Sequence, residues 1–553
     1  LNSPNPALVT HRAAQRLPRP VLLLFCAAYV LPGLFNRDPW KGADITAFGY
    51  MVNIAQGRTS WFAPTVGGLG ADSALLPYWL GALFIKGLSP WVDPAFAARL
   101  PFALLLAIVL ALVWYATYYL ARTESAQPLP LAFGGEATPA DYARAIGDGA
   151  LLALIASLGL LQLGHETTPE LAQLASVGAF LYGFAALPFR PRPARAALVL
   201  ALPALAASGA PSIAVILGIV AAVFCRLSSD PAVHQATRWI WVSAAASALV
   251  AALLGAWAWR LGRYDSAAQV AGLVRELVWF TWPAWPLALW TLWRWRSRLL
   301  SRHIVFPLAC VGITLAACIA MGGSDRALML GLPPLAVLAA FALPTLQRST
   351  AAAIDWFSVF FFTICALTVW VIYASIQTGV PAKPAANIAR LSPGYTPSFS
   401  VLALAFAVLG TLAWLWLVHW RTRRSRHPLW KSMVLPAAGV ALTWLLVMTL
   451  LLPPLDNARS YRLQIDRIAQ RVPVGSCLAA PGMSRAQVVA LEYFGRYRVD
   501  AVTKATDSRC PWLVLIETRQ EKARPGPGWL LVARERRSTN DDEVTAIYRR
   551  VAG

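Results

Sequence analysis

The chain has 553 residues, 58% of them hydrophobic and only 13% charged, and a mean hydropathy of +0.55, which excludes an ordinary water-soluble domain. Its apolar runs are continuous rather than alternating, which excludes a closed β-barrel. The net charge of +22 is dispersed among loops instead of forming one basic patch interleaved with aromatics, so no nucleic-acid partner is expected.

A helix needs about 20 mainly apolar residues to cross a hydrocarbon core. Arg12, Arg16 and Arg19 precede an apolar run from Val21 that continues without a small-residue cleavage site, so this run reads as a first anchor and not as a cleaved signal. Helices are expected near 21–35, 96–121, 147–163, 169–188, 196–209, 211–226, 239–259, 276–295, 304–321, 327–345, 355–378, 397–419 and 432–452, about 13 transmembrane spans in all. The loop after the first span holds two shorter apolar stretches, 44–57 and 74–88, which read as juxtamembrane amphipathic helices in the interface, a tilted extra span being the alternative for 74–88. Trp40, Trp61, Tyr78, Trp79 and Trp91 around them are the aromatics expected at headgroup depth. Cys26, Cys225, Cys310, Cys318 and Cys365 fall within apolar helices, where a lone thiol packs as a small hydrophobe.

From about 454 the character changes. Helix-like DNARSYRLQIDRIAQRV and SRAQVVALEYFG alternate with the short apolar runs SCLAAP and PWLVLIE, the pattern of a small α/β domain. The expected division is a membrane domain over 1–453 and a soluble domain over 454–553, with Pro453 and Pro454 at the boundary. Arg122 and Arg144, then Arg190, Arg192 and Arg195, then Arg226 and Arg238, then Arg294, Arg296, Arg298 and Arg302, and finally Arg421, Arg423, Arg424, Arg426 and Lys431 mark alternate loops as cytoplasmic. With the N-terminus cytoplasmic, an odd number of crossings puts the C-terminal domain in the periplasm of a bacterial inner membrane. That oxidising compartment permits a disulfide between Cys477 and Cys510.

Ionisable groups at the outer ends of membrane helices need a partner or an aqueous cavity. On that side lie Asp38, Lys41, Asp44, Arg58, Asp72, Lys86, Asp93 and Arg99, then His165, Glu166 and Glu170, then Arg260, Arg263, Arg275, Glu276, Asp325 and Arg326. Carboxylates mixed with arginines suit transfer from a phosphate-linked donor, the carboxylate deprotonating an attacking hydroxyl and the guanidinium groups receiving the departing phosphate. The competing interpretation is of ordinary solvated loop charges. Asp44 is set apart because it opens an amphipathic stretch with no base following it until Arg58. His165 and Glu166 are adjacent and lack the spacing of zinc ligands, so no metal site is assigned, a divalent ion being left open as the one cofactor. No G-x-x-x-x-G-K-[ST] loop supports ATP-driven transport.

The order of these features resembles the bacterial GT-C glycosyltransferases related to protein O-mannosyltransferases and to the lipid A aminoarabinose transferases, over nearly the whole chain. GADITAFGYMVNIAQG resembles the acidic residue opening an aromatic-rich helix after the first span, LLPYWLGALF a P-L-Y-Y-W-L-like second interfacial helix, and AARLPFALLLA an A-L-R-L-P-like helix start. GHETTPELAQLASVGAFLYG and GGSDRALMLGLPPLAVLAA resemble two later helix starts, the second with Arg326 at the basic position. Asp44 is followed by Ile45, Thr46, Ala47 and Phe48 where these transferases show D-E-x-R-Y, and Asp72 and Ser73 stand where an E-K-P-P segment would begin.

The resemblance implies a GT-C-like polytopic fold, an inverting glycosyltransferase, and Asp44 as catalytic base. It implies Arg99, Arg260, Arg263, Arg326 and Lys86 at the donor phosphate, with Tyr50, Asp72, Tyr78, His165 and Glu166 as substrate contacts. The implied donor is a polyprenyl-phosphate-linked sugar and the implied acceptor lipid A, another glycan or a protein. The C-terminal domain is expected to shape acceptor access, its charges forming a solvated surface. Two rivals stand beside this: a transporter or flippase of a lipid-linked glycan, which predicts paired inverted repeats, and a non-catalytic scaffold of transferase descent, which the altered motifs motivate.

Overall fold

The computed structural model describes residues 7–72, 74–130, 134–228, 230–257, 261–264, 266–422, 428–518, 522, 524–536 and 543–551. In chain order it forms α1 (Arg19–Val30), α2 (Ala43–Ala55), the two-stranded hairpin β1 (Thr65–Val66) and β2 (Leu69–Gly70), α3 (Leu75–Leu88) and α4 (Pro94–Ala121). There follow α5 (Pro139–Ala156), α6 (Leu158–Leu163), α7 (Pro169–Ala186), α8 (Pro191–Ala207), α9 (Pro211–Leu227) and α10 (Pro231–Leu253). Next come α11 (Ala267–Phe280), α12 (Ala284–Arg294), α13 (Arg302–Ala320), α14 (Asp325–Met329), α15 (Leu332–Ala340), α16 (Arg348–Thr378), α17 (Ala382–Leu391), α18 (Val401–Thr422) and α19 (Lys431–Leu450). The chain ends in α20 (Leu452–Arg459), α21 (Arg462–Ala469), β3 (Cys477–Ala479), α22 (Arg485–Tyr493), β4 (Arg498–Asp500), β5 (Trp512–Thr518), β6 (Trp529–Arg536) and β7 (Glu543–Arg550).

Six helices open on a proline, Pro94, Pro139, Pro169, Pro191, Pro211 and Pro231; proline suits a first turn, where its missing N–H is not needed. Asp230, Thr138 and Ser324 cap α10, α5 and α14 by accepting from Ala232, Asp141 and Ala327 N–H, each satisfying a donor the helix leaves open.

Among the described residues every span expected from the sequence overlaps helix, residues 258 and 259 of the span near 239–259 lying outside them. Among the described residues α4, α10, α13, α16, α18 and α19 are individually long and apolar enough to cross a membrane. The other spans are met by shorter, interrupted or less apolar helices. Three expected single spans are broken: 147–163 at Ser157, 276–295 around Pro283, and 327–345 into α14, α15 and a terminal turn. Two of these interruptions satisfy each other, since Leu158 N–H donates to the Trp282 carbonyl at 3.0 Å, a partner that buried broken backbone requires.

The chain forms two compact units, one of Leu1–Pro32, Phe102–Leu367 and Ala405–Leu446, the other of Gly33–Pro101, Thr368–Leu404 and Val447–Gly553. In the first, α7, α8, α9 and α10 pack in series while α15 packs against α5, α12 and α13. α5 is buried along nearly its whole length.

The second unit holds the C-terminal sheet, ordered β4-β3-β5-β7-β6, with β3 parallel to β4 and β5, and β7 antiparallel to β5 and β6. Ala479, Cys510, Leu513, Ala546 and Tyr548 form its core, and Cys477 and Cys510 are joined by a disulfide. A capping box between Ser484 and Gln487 starts α22. This helix packs against α2, which also packs against α3 and β1. Consequently α2 is not the amphipathic surface helix its sequence resembles: none of its residues is exposed and only Ala43, Thr46 and Ala55 are incompletely buried. The α2–α22 contact is tight at Gly49, where a Cβ would run into the side chain of Val489. Gly49→Leu is expected to push α22 off α2 and destabilise the unit by about 1–3 kcal/mol or more, read as a lowered unfolding midpoint in detergent, with Val489→Ala in the same chain recovering part of the loss.

Candidate functional site

The residues from 36 to 42 form a short loop bracketed by two left-handed backbones, Asn36 at φ 49° and Gly42 at φ 96°. Asparagine tolerates the first; the second is glycine territory, because a Cβ there meets the backbone. Gly42 turns the chain into α2 and sets Asp44 in its first turn, where the unpaired N–H groups of the helix start favour a carboxylate.

Asp44 is 2% exposed. Its Oδ2 accepts from the Trp40 backbone N–H at 3.0 Å and from the Arg37 guanidinium at 3.4 Å. The side chains of this pair are 0% and 2% exposed, so the arginine offsets what would otherwise be a costly buried charge. The same guanidinium lies 4.6 Å from the centre of the Trp40 ring, and Arg459 lies 5.0 Å from it, both within cation–π range. Arg37, which precedes Asp44 in sequence, thus supplies a compensating charge.

A second carboxylate, Asp456 on α20, organises the loop from the other side. Its Oδ1 accepts from Trp40 Nε1 at 2.9 Å and from Asp38 N–H at 3.0 Å. The Asp38 carboxylate in turn accepts from Arg462 Nε and from Ser460 Oγ, each at 2.8 Å, and Lys41 N–H donates to the Arg459 carbonyl at 2.9 Å. The hydrogen bond to Asp38 holds Arg462 above its ordinary value. Burial, with the Asp38 charge adding to it, pushes Asp456 up to about 6 against the opposing Trp40 and Asp38 N–H donors.

The folded chain therefore holds the Asp456 proton more tightly than the unfolded chain, where an aspartate titrates near about 4. Stability from this group is present below about pH 4 and lost as pH rises through about 6. Comparing unfolding midpoints of wild type and Asp456→Asn across that window should show the wild type losing ground as pH rises. A difference that stays constant with pH would remove Asp456 as the titrating group.

The remaining expected site residues of this unit are placed as follows. Arg99 is 5% exposed, and its terminal nitrogens donate to the Leu34 and Arg37 carbonyls. It clamps the segment that carries Arg37. Tyr50 donates to the Gly70 carbonyl of the β1–β2 hairpin at 3.0 Å, and its ring lies 5.2 Å from that of Tyr78. Burial pushes the Tyr50 hydroxyl up to about 12. Asp72 is exposed and paired with Arg485 at 3.2 Å. Lys86 is exposed in the last turn of α3. Asn53 on α2 and Gly67 N–H both donate to Glu492 of α22 at 2.9 Å. Arg462, Arg485 and Glu492 show that the charges after residue 454 are partly engaged with the first loop, not simply a solvated surface.

In the first unit, Arg326 on α14 donates to Glu166 at 2.8 Å and to Glu170 at 3.1 Å, and Gln162 donates to the other Glu166 oxygen at 3.0 Å. Two carboxylates thus already oppose the single positive charge expected at a phosphate. His165 has both ring nitrogens on backbone carbonyls, Leu161 at 2.7 Å and Tyr29 at 2.8 Å, and packs against the rings of Tyr29 and Trp444; it braces the turn after α6. Arg263 lines a cleft of about 550 Å³ together with Tyr264, Arg275, Glu276, Trp279 and Gly323. Arg263 and Arg275 are exposed. Helix α11, which carries Arg275 and Glu276, packs against α6 and α14. Arg260 lies outside the described residues. Among the described residues no three His, Cys, Asp or Glu side chains converge as a metal-holding group, so none is assigned as a ligand to a divalent ion.

The sequence singles out Asp44 but not Arg37, Asp456, Arg459 or Arg462. For Arg37 a signal exists in N-R-D-P-W-K, a charged pair pressed between an apolar span and a buried helix; for the others the pairing is set only by the fold.

No protein-family model and no curated protein matches this chain. Among solved structures it is similar to ArnT from Cupriavidus metallidurans, both in the crystal structure bound to undecaprenyl phosphate and in the apo state. The TM-score is 0.59 and the identity 14% in both cases, covering 96% of this chain and 96% and 98% of the others. The fold is therefore GT-C-like over nearly its full length, that of a multi-pass membrane protein.

Proposed function

We propose that this chain is an inverting glycosyltransferase that moves a sugar from a polyprenyl-phosphate carrier to a hydroxyl of lipid A, another glycan or a protein at the periplasmic face of a bacterial inner membrane. The observation that carries the proposal is the buried Asp44 carboxylate held by Arg37 and the Trp40 N–H at the start of α2, in a fold it shares with a protein solved with undecaprenyl phosphate bound.

In the proposed step an acceptor hydroxyl oxygen attacks the anomeric carbon from the face opposite the phosphate. The carbon–oxygen bond to the phosphate breaks, and the polyprenyl phosphate leaves with the electron pair. Asp44 takes the hydroxyl proton, so the configuration inverts and no covalent intermediate forms. An isoprenoid carrier suits a site built into a membrane protein, because the tail stays in the apolar phase while the phosphate meets cations. Within the first unit taken by itself, Arg263 and Arg275 of the cleft are our candidates for holding a lipid phosphate, in preference to Arg326, which two glutamates already hold. The alternating basic loops support a cytoplasmic N-terminus and a periplasmic C-terminal domain.

The deciding experiment is mass spectrometry of envelope lipids, glycans and glycoproteins from cells with and without the gene, complemented by wild type or Asp44→Asn. Loss of one sugar-sized modification, restored by wild type alone, is the expected result and names the acceptor class; an unchanged profile would turn the assignment toward transport or scaffolding. For the cleft, Arg263→Ala and Arg275→Ala are each expected to weaken binding of undecaprenyl phosphate to the purified chain by about tenfold or more, the worth of a charge-assisted hydrogen bond. Unchanged affinity in both would detach the cleft from the phosphate.

A further inference from the structure

We propose that Asp456 is a positioning residue for the transfer: it holds the Asp38–Trp40 stretch so that the Trp40 N–H and the Arg37 guanidinium both reach Asp44. The proposal rests on Asp44 being the base.

The loop from 37 to 41 has no regular secondary structure of its own, yet it must present two donors to one carboxylate oxygen. Its shape is imposed at three points from residues just beyond the last membrane helix. Asp456 Oδ1 receives the Trp40 indole N–H and the Asp38 backbone N–H; the Asp38 side chain is fixed by Ser460 and Arg462; and Lys41 N–H is fixed by the Arg459 carbonyl. Because Trp40 carries both the indole that Asp456 holds and the backbone N–H that Asp44 accepts, one residue links the two aspartates. Arg37 is coupled to the same residue through its contact with the Trp40 ring, and Arg99 holds the Arg37 carbonyl. Releasing Asp456 frees the indole, and with it the N–H and the guanidinium that orient the base. Displacements of about 1 Å in such a group are enough to cost a hundredfold in rate.

The groups facing Asp456 also specify which replacement rescues. Oδ1 takes the indole and the nearer share of the Asp38 N–H, which also reaches Oδ2 at 3.2 Å. An asparagine can present that oxygen; an alanine cannot. The test uses the full chain in cells, reading the fraction of the modified envelope component per inserted protein, and the purified chain, reading affinity for undecaprenyl phosphate.

Asp456→Ala is expected to lower transfer about tenfold to a hundredfold with affinity unchanged, Trp40→Phe to lower it in the same direction, and Asp456→Asn to recover most of the loss. Should Asp456→Ala fail to insert, Trp40→Phe decides alone, because it keeps the backbone N–H to Asp44 and an aromatic ring beside Arg37 while removing the indole donor. Wild-type transfer in Asp456→Ala or in Trp40→Phe, alongside an inactive Asp44→Asn, overturns the positioning role and leaves the base in place. An Asp456→Asn as inactive as Asp456→Ala, with weakened lipid affinity in both, overturns it too, placing Asp456 on the substrate. Transfer by Asp44→Asn at the wild-type level removes the base itself and is a distinct result.

Discussion

Asp44→Asn is expected to lower transfer per folded, inserted chain by about a hundredfold to ten-thousandfold, the range that general-base catalysis contributes. The substitution is nearly isosteric and keeps an oxygen for the Trp40 N–H, but it also removes the negative charge opposite the buried Arg37, so a lowered unfolding midpoint accompanies the loss of proton-accepting capacity. Reading transfer per folded, inserted chain separates the two effects. A folded, lipid-binding and inactive Asp44→Asn supports the base; a folded chain with undiminished transfer eliminates Asp44 from the chemistry.

Arg37→Met acts on the same pair from the other side, and its expected effect is on stability as well as activity. Removing one partner of a buried ion pair strands the other charge, a loss of about 3–5 kcal/mol; here both side chains are essentially out of solvent. The unfolding midpoint in detergent should fall accordingly. Replacing both members, Arg37→Met with Asp44→Leu, should restore most of the stability and none of the activity, since an apolar pair needs no compensation. A single Arg37→Met as stable as the wild type would mean that Asp44 finds its compensation elsewhere, and Arg37 would then drop out of the account.

Much of the architecture is legible in the sequence for a simple reason: membrane helices must satisfy their backbone internally and be apolar for about 20 residues, so composition alone marks them. Prolines such as Pro169, Pro191 and Pro211 mark their starts, and the α/β alternation after residue 454 shows in short runs. What hydropathy does not carry is interruption. The break at Ser157 depends on the Trp282 carbonyl, a partner far along the chain, so neither half of the pair looks broken by itself.

The candidate site is less legible. Asp44 stands out because an acidic residue inside an apolar stretch demands a reason. Its surroundings do not, because Asp38 and Asp456 lie 418 residues apart in sequence and each alone reads as a surface charge. Arg99 and Arg326 illustrate the converse. An arginine at the end of a membrane helix looks like an anion site, yet nothing in the sequence tells whether backbone carbonyls or carboxylates have already taken it.

That separation along the chain also has a temporal meaning. At about 5–20 residues per second, the ribosome releases the segment that braces the Asp44 loop about 20 to 80 seconds after the loop itself. Through that interval α2 waits without the α22 surface that covers it, and Asp44 without the donors Asp456 arranges. On the proposed mechanism, a nascent or prematurely terminated chain has not yet assembled its base, and transfer would begin only once synthesis has passed the last membrane helix.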